Sequence, residues 1–145
     1  MQVCSTIQVR YAETDMMGIV YHANYLLYFE DARTAFLETI GCPYTDLEDA
    51  GLMSPVVHFE CSYRTPLTYG DTATVCTSVI ESRATKTVYA YKVYKQGQKI
   101  GVDKPCCTGT STHCIVDATT FKPQNIKKVA PKLYERYLEV VEPPA

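Results

Sequence analysis

Residues 24 to 40 set the problem that the rest of the chain has to solve. On a helical wheel at about 100° per residue, Tyr25, Leu26, Phe29, Ala32, Phe36, Leu37 and Ile40 share one broad face. Glu30, Asp31, Thr34 and Glu38 fall opposite. The pattern predicts a helix of about five turns. Gly41 and Pro43 stop it, and Asn24 or its immediate neighbours are placed to cap its start. It is the one long helix that the sequence reveals, and so wide an apolar face needs a cover. Arg33 lies on that face. The expected arrangement is a stem packed on the core, with the head reaching Glu30 or the rim.

The remaining segments read as strands. From Val3 to Tyr11 the residues alternate, with Val3, Ile7, Val9 and Tyr11 on one side and Thr6, Gln8 and Arg10 on the other. Residues 56–63, 71–81, 85–95 and 107–116 are rich in Val, Thr, Tyr and Ile, and turn residues separate them. Short successive connections imply antiparallel neighbours. Pro131 is well placed to open a short C-terminal helix carrying Leu133, Tyr134, Tyr137 and Leu138. The expected architecture is α+β, one domain over residues 1–145, with a curved antiparallel sheet of about five strands around the long helix. Tyr89, Tyr91 and Val93 suggest residual apolar surface on the outer face of that sheet. With its open edges, such a sheet favours a second subunit.

Charge and cysteine usage exclude several functions. Fourteen Lys and Arg against 16 Asp and Glu leave a formal charge of −2, which argues against a nucleic-acid partner. The longest apolar run is Tyr25 to Phe29, too short for a membrane span. The first residues show no basic region followed by an apolar stretch, so a cytoplasmic location is expected. The seven cysteines are odd in number, scattered, and contain no Cys-x-x-Cys pair. They are expected to be small buried hydrophobes in a reducing compartment. No metal site is expected, because the neighbours Cys106-Cys107 and His113-Cys114 point to opposite faces of a strand. His58 and His113 fall in strand patterns and read as structural or rim residues.

Most nucleophile and cofactor motifs are missing: there is no Gly-x-Ser-x-Gly, no phosphate-binding glycine loop and no dinucleotide fingerprint. What remains is the junction from Tyr11 to Tyr25, which puts Asp15 on a turn just before the helix. The first turn of a helix offers unpaired N–H groups and the positive end of the macrodipole. Those donors suit the oxyanion that forms when an ester or thioester carbonyl is attacked. A carboxylate opposite them could attack the carbonyl or activate water. Asp-x-x-Gly is also an ordinary turn sequence.

The string Asp15-x-x-Gly18-x-Val20-Tyr21-His22-x-Asn24-Tyr25, continued by Tyr28-Phe29-Glu30-x-Ala32-Arg33, closely resembles the hotdog-fold acyl-CoA thioesterases. The likeness is to the 4-hydroxybenzoyl-CoA thioesterase branch, especially its YbgC-like members. It continues through Tyr63-Arg64-x-Pro66-Leu67-x-Tyr69-Gly70-Asp71 and Gly109-x-x-x-His113-x-x-Val116-Asp117, over about residues 5 to 128. The resemblance implies dimers or tetramers with active sites at subunit interfaces. It implies hydrolysis of an acyl thioester of coenzyme A or of an acyl-carrier protein, without metal or organic cofactor. Asp15 matches the catalytic aspartate, as nucleophile or general base. His22 matches the position whose backbone N–H polarises the carbonyl, and its side chain matches a histidine that assists or orients. Tyr11, Gly18, Tyr21, Asn24 and Tyr25 fit the substrate-binding part of the motif, with Tyr21 and Asn24 as pocket wall and helix cap. Met16 and Met17 suit an aliphatic chain. Arg83, Lys86, Lys127 and Lys128 are cations that could meet the phosphates of coenzyme A. The alternative is a non-hydrolytic hotdog module that binds acyl-CoA or a protein. Against that, a binding module has no chemical use for Asp15.

Overall fold

The computed structural model describes residues Met1–Pro143. In chain order the strands are β1 (Gln2–Gln8), β2 (Leu52–Met53), β3 (Val56–Tyr63), β4 (Thr72–Arg83), β5 (Lys86–Lys95), β6 (Cys107–His113), β7 (Ile115–Asp117) and β8 (Pro123–Gln124). The helices are α1 (Tyr25–Thr39), α2 (Tyr44–Asp49), α3 (Ile126–Val129) and α4 (Pro131–Val140). Five strands form one sheet in the order β1-β4-β5-β6-β3, with every neighbour antiparallel. α1 lies along one face of this sheet, as its apolar stripe requires. Tyr25, Phe29, Ala32, Phe36 and Leu37 are buried, whereas Leu26 stays exposed. Phe29 stacks on Tyr91 with ring centroids 4.3 Å apart, and Phe36 meets Tyr89 edge-on at 5.7 Å. The close approach depends on Gly109 of β6: a Cβ there would sit 2.7 Å from the Phe29 ring and 2.9 Å from the Glu60 carbonyl oxygen.

Several expectations are corrected. Tyr89, Tyr91 and Val93 face the helix and are buried, so the outer face of β5 carries Ala90 and Lys92 instead. The alternation in a strand identifies residues that share a face, not which face is inside. β1 ends at Gln8, and Tyr11 to Glu13 form one turn of 3-10 helix, which takes Tyr11 out of the strand. The last expected strand divides at Cys114: β6 stays in the large sheet, while β7 joins β2 and β8 in a second, three-stranded sheet. Arg33 does not pair with Glu30; its guanidinium is buried and donates to the phenol oxygens of Tyr91 (3.0 Å) and Tyr44 (3.4 Å). Nor are all cysteines free. Cys4 on β1 stands directly opposite Cys76 on β4, with a Cα–Cα distance of 4.0 Å, and the two form a disulfide. Pairing register decides that contact, and sequence spacing does not report it.

Candidate active site

The site is built around a loop anchored by a buried carboxylate. After β1, the Glu13 side chain accepts from the Arg10 backbone amide at 2.8 Å and from the Tyr28 hydroxyl at 2.9 Å. The Glu13 carbonyl accepts from the Tyr21 amide (2.9 Å) and from the Asn24 side-chain amide (2.8 Å). One residue thus ties the exit of β1 to the start of α1. Between these anchors, Thr14 pairs with Val20 and Ile19 pairs with Thr68, which closes residues 15–18 into a tight reversal. The Gly18 amide donates to the Asp15 carbonyl at 2.9 Å, and Gly18 has φ +77°, a conformation that favours glycine. The Met17 amide donates to Asp15 Oδ1 at 2.8 Å. Asp15 Oδ2 has no protein partner among the described residues.

A single 3-10 turn, His22–Asn24, leads into α1. The Tyr21 amide is taken by Glu13 and the Asn24 amide by Tyr21. The amides of His22 and Ala23 have no acceptor among the described residues, the usual state of N–H groups at a helix start. A cleft of about 230 Å³ opens here, lined by Asp15, His22 and Tyr25. Its far wall is Tyr63, Arg64, Thr65 and Pro66, the end of β3 and the turn after it. The Tyr63 hydroxyl donates to the His22 carbonyl at 2.8 Å, and the Tyr25 and Tyr63 rings meet edge-on at 5.2 Å. Burial holds the Tyr25 phenol well above its ordinary range; Tyr63 is half exposed, and partial desolvation together with the neighbouring Cys61 thiol raises its phenol too, so both are neutral hydrogen-bonding walls.

The thioesterase-like superfamily model matches residues 9–136. The putative acyl-CoA thioesterase YneP of Bacillus subtilis is 44% identical over 131 residues, covering 90% of this chain and 91% of the relative. The acyl-CoA thioesterase YbgC of Haemophilus influenzae is 32% identical over 90 residues, 61% of this chain and 66% of the relative. Among solved structures, a DHNA-CoA thioesterase from Staphylococcus aureus superposes with a TM-score of 0.89 at 30% identity, over 95% of this chain and 89% of that one. The chain belongs to the thioesterase-like superfamily. It has the hotdog fold and is a thioester hydrolase.

In this thioesterase, Asp15, His22 and Tyr25 share the cleft, and Gly18 shapes the turn beneath it. Tyr11, Tyr21 and Asn24 stand apart from the lining. Tyr11 is exposed and packs edge-on against Tyr69 at 5.6 Å. Tyr21 lies against the His22 ring at 4.4 Å. Asn24 does occupy the N-cap position of α1, but its side chain is committed to the Glu13 carbonyl and makes no capping bond. The cations expected to meet phosphates lie elsewhere. Arg83 and Lys86 both pair with Glu81, at 2.7 and 3.1 Å, and Lys127 sits over the Tyr134 ring. Lys128 does not line the cleft either. Arg64, which sequence reasoning passed over, does. Its signal was the Tyr63-Arg64-x-Pro66 string, which entered only as part of the family resemblance.

Proposed function

We propose that this thioesterase hydrolyses acyl-coenzyme A and works in the cytoplasm. Asp15 is the reacting group, and the helix-start amides of His22 and Ala23 are the oxyanion hole. One observation carries the reading: among the described residues, a carboxylate with one oxygen unpartnered opens on the same cleft as a helix start whose amides have no acceptor. Oδ2 of Asp15 attacks the thioester carbonyl carbon, and the amides take the charge that develops on its oxygen. The intermediate collapses by breaking the carbon–sulfur bond, which expels the coenzyme A thiolate and leaves a mixed anhydride. Water then cleaves the anhydride to free acid and restored Asp15. The Met17 amide fixes Oδ1 and so orients the other oxygen. The His22 imidazole flanks the entry and orients the carbonyl. Arg64 is the cation at hand for the phosphates of the carrier.

A panel of acyl-CoA substrates followed by free-thiol release tests the activity, with thiol release expected above the uncatalysed background. A single turnover in ¹⁸O-water tests the step. Label in the Asp15 carboxylate, from water attack on the Asp15 carboxyl carbon of the anhydride, is the expected result; label only in the released acid, together with no acyl group trapped on Asp15 by hydroxylamine or borohydride, replaces the nucleophile with base-activated water.

The working unit in this reading is a homodimer or homotetramer. β3 is an edge of the large sheet and displays exposed Val56, Val57 and Tyr63. An open apolar edge is a template for pairing with another strand. Tyr63 also lines the cleft, so a second copy docked along β3 would wall the active site. Light scattering is expected to give at least twice 16.3 kDa. A monomer at micromolar concentration contradicts the assembly.

A further inference from the structure

Two turns along α1 from Tyr25, Arg33 presents a cation without an anion. It is 6% exposed, and its two protein partners are the neutral phenols of Tyr44 and Tyr91. Among the described residues, no carboxylate oxygen comes within the 4.0 Å of an ion pair. Tyr91 in turn contacts Ser111 Oγ at 2.6 Å, which contacts His113 Nε2 at 2.8 Å, so the polar chain behind the guanidinium holds no acid. A guanidinium keeps its charge in any protein environment and offers five N–H donors in a planar fork. Burying such a charge unpaired is costly. Arg33 and Tyr44 line a pocket of about 400 Å³ between α1, α2 and the start of β3. Leu47, Leu52, Pro55 and Val56 give it apolar walls. Glu30 and Glu48 stand at its rim, exposed to water, where their charge is screened. The unscreened field inside the pocket is that of Arg33.

We propose that this pocket is a carboxylate subsite, in which Arg33 holds the distal carboxylate of a dicarboxylic acyl group, bidentately through its free N–H groups. As a substrate assignment this rests on the acyl-CoA reading above. The spacing is suited to it: the eight residues from Tyr25 to Arg33 rise ~12 Å, about ten bonds of an extended chain. In this arrangement the acyl chain runs along α1 from the cleft to this pocket, two cavities that share no lining residue, and the apolar walls take the methylenes next to the distal carboxylate. The carboxylate has two sources, the acyl thioester and the free diacid it releases.

The test uses the full chain and its Arg33→Met variant. Met retains the apolar bulk and removes the charge, a replacement that proteins tolerate when the charge is unpaired. Dicarboxylic acyl-CoA substrates from succinyl to sebacyl are each compared with the monocarboxylic acyl-CoA of equal length. Wild type is expected to prefer the diacid derivative, and Arg33→Met to lower that preference in kcat/KM by at least ~10-fold, the worth of a charged hydrogen-bonded pair. Free adipate and hexanoate are both expected to raise the melting temperature of wild type and not of the variant, with the uncharged 1,6-hexanediol and inorganic phosphate doing neither. Equal loss on both substrate series, or a phosphate effect as large as that of adipate, overturns the subsite. If no thioester is hydrolysed, the acyl-CoA reading fails, and the adipate measurement still decides the pocket. If Arg33→Met does not fold, Arg33→Lys replaces it. Lys keeps the charge but loses the fork, so the diacid preference must fall and adipate must protect it less than wild type; unchanged values overturn the bidentate geometry.

Discussion

Asp15→Asn is expected to fold as the parent does and to lose at least ~10²-fold in kcat, the lower end of what a positioned catalytic group contributes. Both halves of that result follow from how the two oxygens are used. Oδ1 accepts the Met17 amide at 2.8 Å and closes the turn, and the amide oxygen of Asn can do the same. Oδ2 has no protein partner among the described residues, and there Asn substitutes an NH₂ that can neither attack a carbonyl nor take a proton. The substitution separates the chemistry from the fold. His22→Ala provides the contrast, because the backbone N–H survives the loss of the ring. It is expected to cost less than Asp15→Asn, with the deficit mainly in KM. Thiol-release kinetics on purified variants with matched circular dichroism measure both. Parental turnover by a folded Asp15→Asn protein removes Asp15 from the mechanism.

Local features were legible and long-range ones were not. The expected helix, residues 24–40, differs from α1 by one residue at each end, because a period sustained over four turns is a strong signal. Asp15 and His22 were legible as candidates because they stand only seven positions apart on one chain segment, and both line the cleft. The opposite wall, Tyr63 to Pro66, arrives from the end of β3 and is held by a hydrogen bond to a residue 41 positions away. No local pattern encodes that contact. α2 spans six residues, too few for a readable period, and β2 and β8 are two residues each. Such strands exist only because a partner is present, so pairing defines them and propensity does not. The Cys4–Cys76 bond was missed for the same reason. Arg33 was recognisable as an anomaly on the apolar face, but the phenols that receive it come from α2 and β5.

That same buried cluster makes the fold sensitive to mild acid. His113 is 2% exposed, and burial, reinforced by the positive charge of Arg33, pushes its pKa down to about 4, against a bond to the Ser54 backbone that pulls the other way. In the unfolded chain a histidine titrates near 6.5. Between these values the unfolded state binds a proton that the native state refuses, so stability falls as pH drops from about 6.5 to about 4. The cost by pH 4 is ~3 kcal/mol, from a shift of roughly 2.5 units at 1.36 kcal/mol each. Asp71 adds a second, lower window. Burial would raise its pKa, but bonds from Gln96 and Thr68, with Lys95 at 3.4 Å, outweigh it and hold it at about 2. Its stabilisation is present above about pH 4 and is lost as pH falls through 2. Urea unfolding at pH 7, 5.5 and 4.5 separates the two, because the His113 window lies within that range and the Asp71 window lies below it. His113→Gln, which can keep a hydrogen bond to Ser111, is expected to flatten the decline between pH 6.5 and 4 and to leave the steeper loss below it. A wild-type stability that does not change between pH 7 and 4.5 would show that His113 is not held neutral beside Arg33.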